Sequence, residues 1–97
     1  MMMVVIAYDV NTETAEGKRR LRHVADLCED FGQRVQFSVF ECLLDNAQWV
    51  RLRKDLIDEI DPEKDSLRFY FLGSHWQTRV EHVGAKKGYD PQGFLMA

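Results

Sequence analysis

A single carboxylate stands at the end of the most apolar segment of the chain. Met3–Tyr8 is apolar at consecutive positions, which is typical of a strand buried on both faces, and Asp9 follows it directly. One Asp at a strand end is most often a turn former. It could do chemistry if a two-fold axis passed nearby, because two copies of Asp9 together with water could hold Mg²⁺ or Mn²⁺. Such a site could polarise a phosphodiester and activate a water molecule.

A short basic segment is the second candidate for chemistry. Five of the six residues from 18 to 23 can carry positive charge, and a further arginine precedes the next apolar run. Such a run is usually a solvated helix face, and neighbouring acidic residues can pair with it at i,i+4 spacing. In an acidic chain, however, so concentrated a patch favours phosphate binding. The cationic residues are Lys18, Arg19, Arg20, Arg22, His23 and Arg34.

The composition limits the classes of protein to which the chain can belong. Its 97 residues are enough for one domain. Lys and Arg number 13 against 16 Asp and Glu, a net charge of −3, so a nucleic-acid binder would need a local basic patch. Cys28 and Cys42 lack metal-ligand spacing and are expected to be reduced core residues of a cytoplasmic protein. No apolar run approaches the ~20 residues that span a bilayer, so we expect no contact with membranes.

The elements that must position these side chains alternate between strands and helices. After the strand Met3–Tyr8, apolar residues at helical spacing predict a helix over about Thr14–Phe31, with Gly32 as its C-terminal glycine. Arg34–Leu44 then alternates with a period of two, but the phase of the alternation changes within the segment. This change predicts a bulge, a bend or two short strands.

The second half of the chain repeats the helix–strand alternation. Asp45 or Asn46 can cap a second helix, which Pro62 ends. Leu67–Leu72 reads as a strand, and His75–Val83 as a possible further strand with few aliphatic residues.

This order predicts an α+β, ferredoxin-like βαββαβ fold with an additional C-terminal strand, in one domain spanning residues 1–97. Both helices then lie on one face of the sheet, although the strand Met3–Tyr8 is apolar on both faces. A second copy is the natural cover, so we expect a homodimer in which the two sheets face each other. The tail Gly84–Ala97 carries the apolar residues Phe94, Leu95 and Met96 near its end and is expected to dock on the partner or along a sheet edge.

Two segments together closely resemble the CRISPR-associated protein 2 family. They are Val4–Val10, with the sequence VVIAYDV, and Arg34–Cys42, with the sequence RVQFSVFEC, separated by a basic amphipathic helix. The resemblance covers about Met3 to Gly73. It implies a ferredoxin-like homodimer whose C-terminal strands cross to the partner's sheet. It also implies a role in antiviral defence, as a Mg²⁺-dependent nuclease of single-stranded RNA or double-stranded DNA.

The resemblance also implies roles for individual residues and for a protein partner. The metal would lie between the two copies of Asp9, the catalytic residue. The family also bridges two dimers of the CRISPR-associated integrase, protein 1, when new spacers are captured. Among the remaining residues, Tyr8 would flank the metal, Arg19, Arg20 or Arg22 together with Arg34 would contact the phosphate backbone, and Ser38 and Phe40 would line the site.

Three functions are consistent with these features, and the first two can coexist. The first is a metal-dependent phosphodiesterase that uses Asp9 from each chain. The second is a non-catalytic scaffold that bridges nucleic acid within the spacer-integration complex. The third, which does not depend on the resemblance, is a regulatory module that binds a small ligand at its dimer seam. The basic run disfavours the third, because a small-ligand module would not need it.

Overall fold

The computed structural model describes residues 1–84, which form one four-stranded sheet and two α-helices in the order βαββαβ. This arrangement confirms the predicted α+β fold class. The elements are β1 (Met2–Asp9), α1 (Ala15–Glu29), β2 (Gly32–Gln36), β3 (Val39–Leu44), α2 (Asn46–Glu59) and β4 (Ser66–Gly73).

The sheet has the strand order β2-β3-β1-β4, with every neighbouring pair antiparallel, as the ferredoxin-like arrangement requires. In the central strand, Ile6 pairs with Phe40 on one side and Phe69 on the other. Ile6 and Phe40 are fully buried in a core that contains residues of both helices. Since successive strand side chains point to opposite faces, one face of the sheet is covered by the helices and the other is not.

Local capping explains where the two helices begin. The Thr14 side chain accepts a hydrogen bond from the Gly17 N–H at 3.0 Å and caps α1. Asp45, rather than Asn46, caps α2 in a capping box with Gln48. Gly32 is not the C-terminal glycine of α1, since its φ is not positive and it begins β2. A Cβ there would lie 2.4 Å from the Glu41 carbonyl oxygen, so close packing between strands requires this glycine.

The segment with the phase change resolves into two strands and a bulge. β2 and β3 are separated by the turn at residues 37 and 38, and their register shifts between Arg34 and Gln36. Both cysteines lie in the core, Cys28 on α1 and Cys42 on β3, and burial raises the pKa of each thiol to about 12. They are free and buried, as predicted, and their thiols are protonated at neutral pH.

The strand expected over His75–Val83 is absent. Trp76–Thr78 forms a short 3-10 helix instead, and the residues from there to Gly84 are irregular. The Arg79 side chain donates to the Leu72 carbonyl at 2.9 Å, and the backbone N–H groups of Thr78 and Arg79 donate to the carbonyls of His75 and Trp76 within the same segment. The remainder of the predicted docking tail, residues 85–97, lies outside the described residues. Neither helix of residues 1–84 has the length and apolar character needed to cross a membrane.

Candidate nucleic-acid interface

Asp9 lies exposed at the carboxyl end of β1, opposite Ser66 of β4. The alternation of the strand places it on the same face as Val5 and Ala7, which is the face that the helices leave uncovered. No group of three His, Cys, Asp or Glu side chains in residues 1–84 is arranged to hold a metal ion. Within the described residues, one chain therefore offers a single exposed carboxylate at this position.

A buried carboxylate fixes the loop that follows Asp9. The Asp65 side chain is sealed from solvent and accepts hydrogen bonds at 2.9 Å from the backbone N–H groups of Asn11 and Asp61. Arg20 donates to both of its oxygens, through Nε at 2.8 Å and a terminal nitrogen at 3.3 Å. Asp65 thereby joins the β1–α1 loop, helix α1 and the α2–β4 loop at one point.

Charge and close packing strengthen this connection. Burial alone would raise the pKa of Asp65, but the hydrogen bonds from Arg20, Asp61 and Asn11 outweigh it and lower that pKa below its ordinary value. At Gly17, an added Cβ would meet the Asn11 carbonyl oxygen at 2.0 Å, so α1 packs directly on the loop. The chain just beyond Asp9 is thus held from two sides.

The structure divides the basic run between different environments. Arg20 points inward to Asp65, and only 18% of its side chain is exposed. Lys18 and Arg22 instead line a cleft beside β1, and Arg19 is exposed. Of the three α1 arginines predicted to contact phosphate, Arg19 and Arg22 are therefore accessible, whereas the guanidinium of Arg20 is bound to Asp65.

His23 faces away from this cleft. Its Nδ1 contacts a carboxylate oxygen of Glu59 and so links α1 to α2. The groove between these helices is acidic, with a volume of about 400 Å³. It is lined by His23, Asp26, Leu27, Asp30, Asp55, Asp58 and Glu59.

The cleft beside β1 has a volume of about 260 Å³ and opens between α1 and the β2–β3 hairpin. Three cationic side chains and two carboxylates face it, so its walls carry a net positive charge. One of the cations, Arg34, lies 3.6 Å from a carboxylate oxygen of Glu29. The lining residues are Tyr8, Lys18, Leu21, Arg22, Ala25, Asp26, Glu29, Arg34 and Phe37.

Aromatic rings support Arg34 in this cleft. The guanidinium carbon lies 5.1 Å from the ring centroid of Phe40, which is fully buried, and 6.0 Å from that of Phe37. Tyr8 stacks on Phe40 with a centroid separation of 6.2 Å, and its hydroxyl donates to the Phe37 carbonyl at 3.5 Å. Burial raises the pKa of Tyr8, although Arg34 opposes the shift, so the phenol remains a neutral donor.

Adjacent residues of β1 belong to different faces. Tyr8, Arg34 and Phe40 meet on the helix-covered side, and the Ser38 carbonyl accepts a hydrogen bond from the Tyr8 N–H at 3.1 Å. Asp9, one residue later, lies on the uncovered side. The structure therefore brings Tyr8, Arg34 and Phe40 together and separates them from the candidate catalytic carboxylate by the end of one strand.

Two residues of this region escape sequence reasoning. Phe37 fits the alternating pattern of a buried strand, but it lies in the turn between β2 and β3 and is 75% exposed. Asp65 resembles any polar loop residue. Asp65 directly precedes β4, and the first residue of β4 pairs with Asp9. This position in the chain was the one indication that Asp65 lies near the candidate site.

Comparison with known proteins gives a consistent result. A family model for CRISPR associated protein Cas2 matches residues 2–80. A protein of Chlorobaculum tepidum named CRISPR-associated endoribonuclease Cas2 is 63% identical over 95 residues, which cover 98% of this chain and 99% of that protein. A protein of Halalkalibacterium halodurans named CRISPR-associated endonuclease Cas2 is 53% identical, with 92% of this chain and 93% of that protein covered.

A solved structure agrees with these sequence relationships. The crystal structure of Streptococcus pyogenes Cas2 at pH 6.5 superposes with a TM-score of 0.75 at 58% sequence identity. The match covers 86% of this chain and all of that chain, so the two share the fold over nearly the whole described region.

Proposed function

The chain belongs to the CRISPR-associated protein Cas2 family, and from this premise we propose that it is a metal-dependent endonuclease of RNA or DNA. The names of its relatives, endoribonuclease and endonuclease, support a nuclease role. The observation that carries the proposal is the exposed carboxylate of Asp9 on the uncovered face of the sheet. Single-stranded RNA and double-stranded DNA are the candidate substrates.

We infer that the active form is a homodimer whose uncovered sheet faces meet. Val5, Ala7, Val39 and Leu43 lie on this face and remain only partly buried within one chain. A second copy would remove this apolar surface from water. The self-association of a sheet face would also bring two copies of Asp9 towards one axis. Docking of the segment beyond Gly84 on the partner would extend the same interface.

The carboxylates of two chains fit a magnesium or manganese ion. Mg²⁺ takes oxygen ligands and is commonly held by one or two carboxylates, with water and phosphate oxygens completing its shell. The two copies of Asp9 would hold it. When bound, such an ion supplies charge stabilisation at the phosphodiester and a more acidic bound water.

The remaining residues act on the nucleic acid itself. Lys18, Arg22 and Arg34 would bind phosphates in the cleft beside β1, and Arg19 would add an exposed charge at its edge. Phe40 and Glu29 hold Arg34 in place. Because the cleft and Asp9 lie on opposite faces, a strand that uses both must pass around the end of β1.

Cleavage by the purified protein tests this function. We expect cutting of a labelled single-stranded RNA or a DNA duplex that requires Mg²⁺ or Mn²⁺, stops with EDTA and is abolished by Asp9→Asn. Asp58→Asn is the matched control, because Asp58 is an exposed Asp that pairs with Lys54 on α2. Cleavage at the wild-type rate by Asp9→Asn would show that another group is responsible.

A second candidate function is favoured by the sparseness of the site. One carboxylate per chain is few for a nuclease, and a basic cleft can bind nucleic acid without cutting it. In that case the dimer is a scaffold that bridges nucleic acid between dimers of the CRISPR-associated integrase. Spacer integration with Asp9→Asn tests the scaffold role, since a scaffold retains integration when cleavage is lost.

A further inference from the structure

One aromatic ring at the basic cleft is largely exposed. Among residues 1–84, the exposed large apolar side chains include three aromatic ones: Phe37 at 75%, Phe71 at 57% and Tyr70 at 45%. Phe71 is in edge contact with Trp49 at a centroid distance of 5.3 Å, and Tyr70 lies on the sheet face assigned to the dimer. Phe37 alone of the three lines the cleft that also holds Lys18 and Arg22.

The ring of Phe37 is the outermost member of a stacked series. Tyr8 stacks on Phe40, Arg34 lies over Phe40, and the same guanidinium lies 6.0 Å from the ring centroid of Phe37. The turn that carries the ring is tied to the sheet, because the Phe37 carbonyl accepts from the Tyr8 hydroxyl. The ring is therefore presented to solvent by a fixed support beside three cationic side chains.

We propose that Phe37 stacks on an unpaired nucleobase of the nucleic acid whose phosphates bind Lys18, Arg22 and Arg34. The inference rests on the proposed function and narrows its substrate class to nucleic acid with an unstacked base. A basic groove that follows the backbone, combined with an aromatic platform for a base, is the recurring composition of single-strand binding sites. The positive charge of the cleft favours a polyanion over an apolar peptide.

The proposal separates single strands from duplexes. Within a duplex both faces of each base are covered by its neighbours, so a continuous duplex offers no face to the ring. A single strand, or an overhang, offers one directly. Stacking on an aromatic side chain strengthens binding by roughly five- to a hundredfold for each base. Phe37 should therefore matter for single strands and not for blunt duplexes.

Binding in EDTA tests this proposal without any contribution from cleavage. The probes are an RNA or DNA single strand containing 2-aminopurine and a blunt duplex of the same length. We expect quenching of the 2-aminopurine on binding to the wild type. Phe37→Leu keeps an apolar side chain without a ring and should lose the quenching and bind the strand about tenfold more weakly. Phe37→Tyr should retain both, and duplex affinity should not change.

The possible failures are distinguishable. If Phe37→Leu binds the single strand and quenches it like the wild type, the stacking proposal is overturned while the nuclease proposal stands. If the wild type binds neither probe in EDTA, the stacking proposal is overturned, and cleavage in the presence of Mg²⁺ still decides the nuclease proposal separately. Sedimentation of the variants provides the remaining check, since a change of oligomeric state in Phe37→Leu would place the ring in a protein interface and contradict base stacking.

Discussion

The guanidinium of Arg20 donates two hydrogen bonds to the carboxylate of Asp65, whose side chain has no exposed surface. This pair connects helix α1 to the loop before β4, directly beside the end of β1. It assigns Arg20 a structural role in holding the loop after Asp9, although Arg20 belongs by sequence to a run that favours phosphate binding.

Removing the charge of Asp65 should destabilise the protein. In Asp65→Asn, the amide replaces one acceptor oxygen with a donor, which leaves N–H groups of Arg20, Asn11 or Asp61 without an acceptor. We expect the free energy of unfolding to fall by about 2 kcal/mol, as for other unsatisfied buried groups. Urea denaturation at neutral pH measures it, with Arg19→Ala as the exposed control. An unchanged midpoint would contradict the connecting role of Asp65.

The same carboxylate should make stability depend on acid pH. The pKa of Asp65 is lowered in the folded protein, so its ionised form stabilises the fold above the unfolded pKa of about 3.9. This contribution is lost as the pH falls through the lowered folded value. Urea midpoints measured from pH 6 down to pH 3 should therefore fall more steeply for the wild type than for Asp65→Asn. If the urea midpoints of the wild type and Asp65→Asn fall in parallel with pH, groups other than Asp65 cause the loss of stability in acid.

Charge reversal in the cleft should weaken nucleic-acid binding irrespective of sequence. Arg22→Glu and Arg34→Glu remove cations that we propose bind phosphates, and phosphates carry no sequence information. The slope of log K against log salt should decrease by about one for each phosphate that the variant no longer neutralises. Arg53→Glu, on the exposed face of α2, is the matched control. If Arg22→Glu, Arg34→Glu and Arg53→Glu all bind with the same affinity and the same salt dependence, the nucleic acid binds at a surface other than this cleft.

An added carboxylate in the apolar part of the uncovered sheet face should break the proposed dimer. Val39 pairs with Ala7 on this face, so Val39→Asp would bury a carboxylate between two sheets. Sedimentation at micromolar concentration should show a dimer for the wild type and a monomer for Val39→Asp. Val50→Asp, at an exposed position of α2, should remain dimeric. A monomeric wild type would refute the assembly on which the shared site depends.

Local patterns predicted much of the fold, because the residues that cap a helix or form its buried face lie in that helix or directly beside it, and the same holds for the apolar residues of a strand. Asp45 with Gln48, and the apolar run of β1, are examples. Whether His75–Val83 forms a strand depends on the presence of a neighbouring strand to pair with, and the local sequence does not reveal that. Arg20 could not be separated from Arg22 by spacing, since their difference arises from Asp65, 45 residues away in the chain. Phe37 follows the alternation of a core strand, but the register shift after Arg34 moves it into the turn.

The most direct test of a metal site shared by two copies of Asp9 is cleavage by mixed dimers. Wild type and Asp9→Asn are unfolded together in urea and refolded at a series of ratios, so that subunits combine at random. If both carboxylates are required, metal-dependent activity will follow the square of the wild-type fraction. A linear decline would show that each chain acts with its own Asp9 alone and would contradict the shared site.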